Sequence, residues 1–82
     1  MTTTYIYRPD DFKGMLGLAD ELNNFYTLYE YYAENKTEDS RFALEKHGRD
    51  LFFTIKHRTV EGMITPYTAT GIREYLEELL YD

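Results

Sequence analysis

The sequence predicts an α+β domain in the order β-α-β-β-β-α, a small, mainly antiparallel sheet with two amphipathic helices packed on one face. Three observations predict it. Met15, Leu18, Leu22, Phe25, Tyr29 and Tyr32 recur at alternating spacings of three and four, which places them on one side of a helix. Ile72, Tyr75, Leu76, Leu79 and Leu80 repeat that rhythm near the end of the chain. Between the two, Arg41 to Arg58 reads as alternating side chains on either side of Gly48-Arg49, the pattern of a hairpin.

Taken in order, Thr3 to Tyr7 is β-branched and aromatic and predicts an edge strand that Arg8-Pro9 ends. Pro9, Asp10 and Asp11 then open a helix, since proline suits a first turn and acids favour its positive end. The helix is expected to run to Glu34, about 37 Å, adding Phe12, Ala19, Tyr26 and Ala33 to its apolar side. A strand over Phe25 to Ala33 would place aromatics on both faces, whereas a helix sorts them, so the helix is the expectation here. Glu34 to Ser40 is a polar loop.

In the hairpin, a type II′ turn at Gly48-Arg49 sets Phe42 opposite Ile55 and Leu44 opposite Phe53, giving one apolar face. Glu61-Gly62 makes a second turn into a third strand, Met63 to Tyr67, edged by Pro66. Thr68 or Thr70 caps the last helix.

Composition narrows the function. Eighty-two residues make one small domain spanning 1–82. Cysteine is absent, which removes disulfides, thiolate zinc sites and cysteine nucleophiles and fits a reducing compartment. The first residues carry no apolar signal-like region, and no apolar run approaches spanning length, so a soluble, cytoplasmic protein without a membrane partner is expected. The net charge of −6 argues against direct nucleic-acid binding. The charge is unevenly spread: Asp10 to Asp39 carries −6, Arg41 to Glu61 carries +2, and Gly62 to Asp82 carries −3.

No motif carries catalytic chemistry. His47 and His57 fall at opposite ends of the predicted hairpin, too far apart to share a metal or a proton. Ser40, the only serine, has no base at a fixed spacing. Glu74, Glu77 and Glu78 lie close on one helix but lack a histidine or a glycine-rich scaffold. The five glycines build no phosphate-binding loop. A non-enzymatic protein without cofactor or metal is expected.

The helix-three-strands-helix core resembles the double-stranded-RNA-binding domain in order and length. That family's basic clamp has no counterpart, because the last helix opens Thr70-Gly71-Ile72-Arg73-Glu74 and the strand loop reads Gly48-Arg49-Asp50. No RNA-binding residue is carried over.

What remains is an acidic, tyrosine-bearing surface. Tyrosine supplies rigid contact area, and acids steer and orient a basic partner. The expected partner-binding residues are Asp20, Glu21, Glu30, Tyr31, Glu34, Glu38 and Asp39, with Thr27 among them, then Glu74, Glu77, Glu78 and Tyr81 on the last helix. Small, cysteine-free, acidic α/β chains of this size resemble phage-encoded anti-defence proteins, including anti-CRISPR and anti-restriction inhibitors. That resemblance implies an inhibitor of a basic, nucleic-acid-binding protein or complex. Nucleic-acid mimicry would be partial: the four acids from Asp20 to Glu34 span about 21 Å, roughly one charge per 5 Å against about 1.7 Å in duplex DNA. Two alternatives stand beside it. One is a homodimeric structural or adaptor protein joined through Tyr26, Tyr29 or Tyr32; the other is an immunity protein or antitoxin neutralising a basic toxin.

Overall fold

Three apolar stripes at helical spacing meet along a common axis. The computed structural model describes residues 5–15 and 17–81, and among them there is no strand. A short 3₁₀ turn, Pro9–Phe12, precedes α1 (Leu18–Glu34), α2 (Glu38–Val60) and α3 (Pro66–Tyr81). Loops of a few residues join the helices, so α2 runs antiparallel to both neighbours in a three-helix bundle measuring 37 × 23 × 20 Å.

The expected α+β architecture is therefore corrected to an all-helical one. With the sheet go the likeness to the double-stranded-RNA-binding domain and the layout shared with α/β anti-defence proteins. The decisive element is α2, which occupies the predicted hairpin. Its buried residues Leu44, Gly48, Leu51 and Ile55 are spaced four, three and four, a heptad-like stripe with a glycine at one inward position. Gly48 is not a turn residue. A Cβ there would lie 3.3 Å from both Leu80 Cδ2 and Phe25 Cε1, so the glycine lets three helices close on one point. Phe42 and Phe53, expected on the sheet's apolar face, are each 63% exposed on the outside of α2.

The first helix is shorter than expected. Gly14 and Gly17 have φ of 90° and 77°, left-handed values that end the 3₁₀ turn and restart the chain as α1. The Arg8 amide donates to Asp11 Oδ2 at 2.9 Å, and Phe12 is buried against the core. From Leu18 onward the helix is continuous through Phe25 to Ala33, in line with the helical reading. It ends at Asn35, whose backbone amide donates to the Tyr31 carbonyl at 2.9 Å.

The predicted third strand is absent too. Ile64 is buried in the α2–α3 connection, and Pro66 opens α3 instead of edging a strand. The cap is Thr65, not Thr68 or Thr70: its Oγ1 accepts from the Thr68 amide at 3.2 Å. Of the predicted first strand, Thr3 and Thr4 lie outside the described residues, and Tyr5 to Tyr7 is irregular backbone.

The core itself is made by Leu18, Leu22 and Phe25 from α1, Leu44, Leu51 and Ile55 from α2, and Ile72, Leu76 and Leu80 from α3, all nearly or fully buried. Each fully buried aliphatic side chain contributes about 1.5–3 kcal/mol through its removal from water.

Candidate functional site

The backbones of α1 and α3 approach each other less closely than those of α1 and α2, and aromatic side chains fill the difference. The segment Tyr5 to Tyr7 straps across this gap. The Tyr5 ring stacks on Tyr26 with centroids 3.7 Å apart and planes 7° from parallel. Its hydroxyl donates to Glu30 Oε2 at 2.8 Å. Tyr7 packs edge-on to Tyr75 at 5.6 Å, and the Ile6 amide donates to the Tyr75 hydroxyl at 3.2 Å. The Tyr26 hydroxyl in turn donates to the Tyr7 carbonyl. Four tyrosines thus tie one irregular segment to two helices, with ring packing supplying area and the hydroxyls satisfying backbone groups.

Gly71 belongs to the same device. A Cβ at that position would meet the Tyr7 hydroxyl at 2.8 Å, closer than such atoms approach. Burial, with the Glu30 hydrogen bond second, pushes the Tyr5 hydroxyl well above the ordinary tyrosine range. Burial also raises Tyr26, with Tyr75 the next contribution. Both rings are held as neutral hydrogen-bond donors.

Helical phase, at about 3.6 residues per turn, sorts the expected binding residues. On α3, Glu74 and Glu78 project towards the strap side, together with the exposed Tyr67, and Glu74 lines a depression with Tyr7 and Gly71. Glu30 borders the strap from α1. Glu34 is one turn further along and exposed, and Tyr31, 55% exposed, lies on the far flank of α1 with Asp20. Glu77 projects to the side of α3 that bears Arg73, towards α2. Thr27 is exposed on the strap flank and donates to the Asn23 carbonyl at 3.0 Å. Glu21 is half-buried, and its Oε2 is covered without a hydrogen-bond partner. Glu30, Glu74 and Glu78 therefore share the strapped face, while Asp20, Tyr31 and Glu77 lie apart from it.

The remaining candidates gather at one end of the bundle, where α1 ends, α2 begins and α3 ends. Glu38 and Asp39 occupy the first turn of α2, where they meet its positive dipole end. Arg41 stands between two rings there, its guanidinium carbon 5.5 Å from the Tyr32 centroid and 5.8 Å from that of Tyr81. Its Nε donates to Glu45 Oε1 at 2.8 Å. Tyr81 remains 67% exposed, with one side engaged by this cation.

Arg41 and the strap tyrosines Tyr5, Tyr7 and Tyr75 were not among the expected site residues. A signal for the strap existed in the alternation of Tyr5 and Tyr7, which a strand and a two-helix strap use equally well.

Ser40 is structural. It is buried, its hydroxyl accepts from the Thr37 amide at 3.1 Å, and its own amide donates to Thr37 Oγ1 at 3.1 Å. This reciprocal box caps α2. His47 and His57 are both exposed on α2, ten residues or about 15 Å apart, and the His57 ring packs edge-on to Phe53 at 4.4 Å. Among the described residues no group of three or more metal-ligating side chains is close enough to hold an ion, and no helix is long and apolar enough to cross a membrane. Compared with protein-family models, curated proteins and solved structures, the chain matches none.

Proposed function

We propose that this chain is a non-enzymatic, cytoplasmic binding protein that engages a basic partner, a nucleic-acid-handling protein, through the tyrosine-strapped acidic face of α1 and α3. The observation that carries the reading is the grouping of Glu30, Glu74 and Glu78 around the strap built by Tyr5, Tyr7, Tyr26 and Tyr75. Carboxylates there stand on two helices locked together by stacked rings, so their spacing is pre-organised and little ordering entropy opposes binding. Exposed Tyr67 on the same side offers a rigid aromatic anchor. Lys and Arg of the partner pair with the carboxylates, which steers encounter and makes the complex sensitive to salt.

The test is capture from lysate by the immobilised protein, at low and high salt and after nuclease treatment, compared with a Glu74→Lys/Glu78→Lys variant. The wild type should retain a nuclease-resistant protein that high salt releases, and the variant, folded by circular dichroism, should retain none. Equal capture by both proteins would refute the assignment of this face.

A further inference from the structure

The outside of α2 is the chemical opposite of the strapped face. Phe42, Phe53 and Val60 fall eleven and seven residues apart, which brings them back to one line along the helix. They are 63%, 63% and 79% exposed. Lys46, Arg49 and Lys56 flank that line within about a sixth of a turn; Asp50 is the one carboxylate beside its Lys46-to-Val60 stretch, while Glu38 and Glu45 lie with Phe42 at its other end. The line continues into a groove of about 230 Å³ between α2 and α3, where Val60 and Pro66 are rimmed by Lys56 and Arg73.

We infer that the outer face of α2 is a docking site for an acidic amphipathic helix of a partner protein, independent of the proposed use of α1 and α3. Charge complementarity and dimensions favour this occupant. The apolar line is about 27 Å long and one side chain wide, the footprint of a single helix laid along another. Cations on both sides of the line match acids flanking an apolar stripe, the arrangement of a helix bound in a groove. An extended polyanion, whether a nucleic acid or an anionic lipid surface, is a poorer fit. Only the stretch from Lys46 to Val60 offers three cations against one carboxylate, and such a surface would also meet Glu38, Asp39 and Glu45 at the Phe42 end and the acidic α1 and α3 of a bundle only 20 Å across at its narrowest. A partner helix touches the stripe alone. With both faces occupied, the chain joins a basic protein to an acidic one.

The probe is a fluorescein-labelled helical peptide of Leu, Ala and Glu, with Leu on one face and Glu flanking it, and the same peptide with Lys in place of every Glu. Anisotropy titrations should show binding of the Glu peptide, weakened severalfold by salt, and none of the Lys peptide. Amide shifts in the ¹⁵N spectrum should map to residues 42–60. Phe42→Ser/Phe53→Ser should weaken binding about tenfold or more, and both sites are exposed enough to leave the fold intact. Lys46→Glu/Arg49→Glu/Lys56→Glu should reverse the preference in favour of the Lys peptide. Failure of the Glu peptide to bind, equal binding of both peptides, or shifts centred on α1 and α3 would overturn the inference. Tighter binding of oligothymidine or of phosphatidylserine vesicles at this face would overturn it as well, assigning the stripe to that ligand instead.

Discussion

Gly48 lies against Phe25 so closely that a methyl group on its Cα would stand 3.3 Å from the Phe25 ring, with Leu80 Cδ2 equally near. Phe25 is fully buried and Leu80 almost so, which leaves neither room to retreat. Gly48→Ala gains about 1 kcal/mol of helix propensity, but overpacking at such a point costs about 1–3 kcal/mol. The expected outcome is a net loss near 1 kcal/mol, read as a lower urea midpoint with an unchanged slope, and Gly48→Leu should fail to fold. A stabilised Gly48→Ala protein would show that the helices cross less tightly than this geometry has them.

Gly71 makes the opposite case, because the atom a Cβ would strike is the far end of a half-buried side chain, the Tyr7 hydroxyl. Alanine there should leave global stability nearly unchanged or raise it, since α3 gains about 1 kcal/mol of propensity while Tyr7 swings away. The strap should loosen with it. Hydrogen exchange at the Ile6 amide, which donates to the Tyr75 hydroxyl, is the readout. Faster exchange at Ile6 with core amides unaffected is expected; unchanged protection at Ile6 would mean that Tyr7 does not seat the segment.

Thr37 and Ser40 exchange backbone-to-hydroxyl hydrogen bonds at the start of α2, and Ser40 is buried while Thr37 is exposed. Thr37→Ala should cost about 1 kcal/mol, the usual loss of an N-cap. Ser40→Ala should cost more, because it also strips a partner from the Asn35 carbonyl and leaves a small void. Thermal melts of the two variants check the order, and a Thr37→Ala loss exceeding that of Ser40→Ala would show that the buried hydroxyl contributes little.

What was legible in the sequence follows from how each stripe is written. The stripe of α3 and the Leu18-to-Tyr32 portion of α1 are unbroken runs of large apolar residues, so periodicity alone finds them. In α2 the same period passes through Gly48, where packing demands the absence of a side chain, so the stripe is interrupted where it matters most. Two exposed phenylalanines on the opposite side then supply the alternation of a strand. Local turn chemistry favoured a hairpin, and tertiary packing required a glycine in a helix. The candidate surface was legible only as a set of acids. The sharing of one face by Glu30 and Glu74 depends on how far α1 and α3 stand apart, and that distance is set by four tyrosines distant in sequence.

Those tyrosines give the fold an alkaline limit. Tyr5 and Tyr26 are held neutral above the ordinary tyrosine range, the first by burial and its bond to Glu30, the second mainly by burial. In the unfolded chain both ionise near pH 10. Their folded pKa values are raised, so the stability they contribute is fully present below pH 10 and declines as pH climbs from there towards the folded values. Absorbance titration of tyrosinate should therefore show a lagging fraction that appears only as the strap detaches. Tyr5→Phe should remove one ring from the lagging fraction, and it should also free Glu30 while keeping the stack on Tyr26. A single transition near pH 10 that accounts for every ring would mean that Tyr5 and Tyr26 are not held neutral and that the strap stands open in solution.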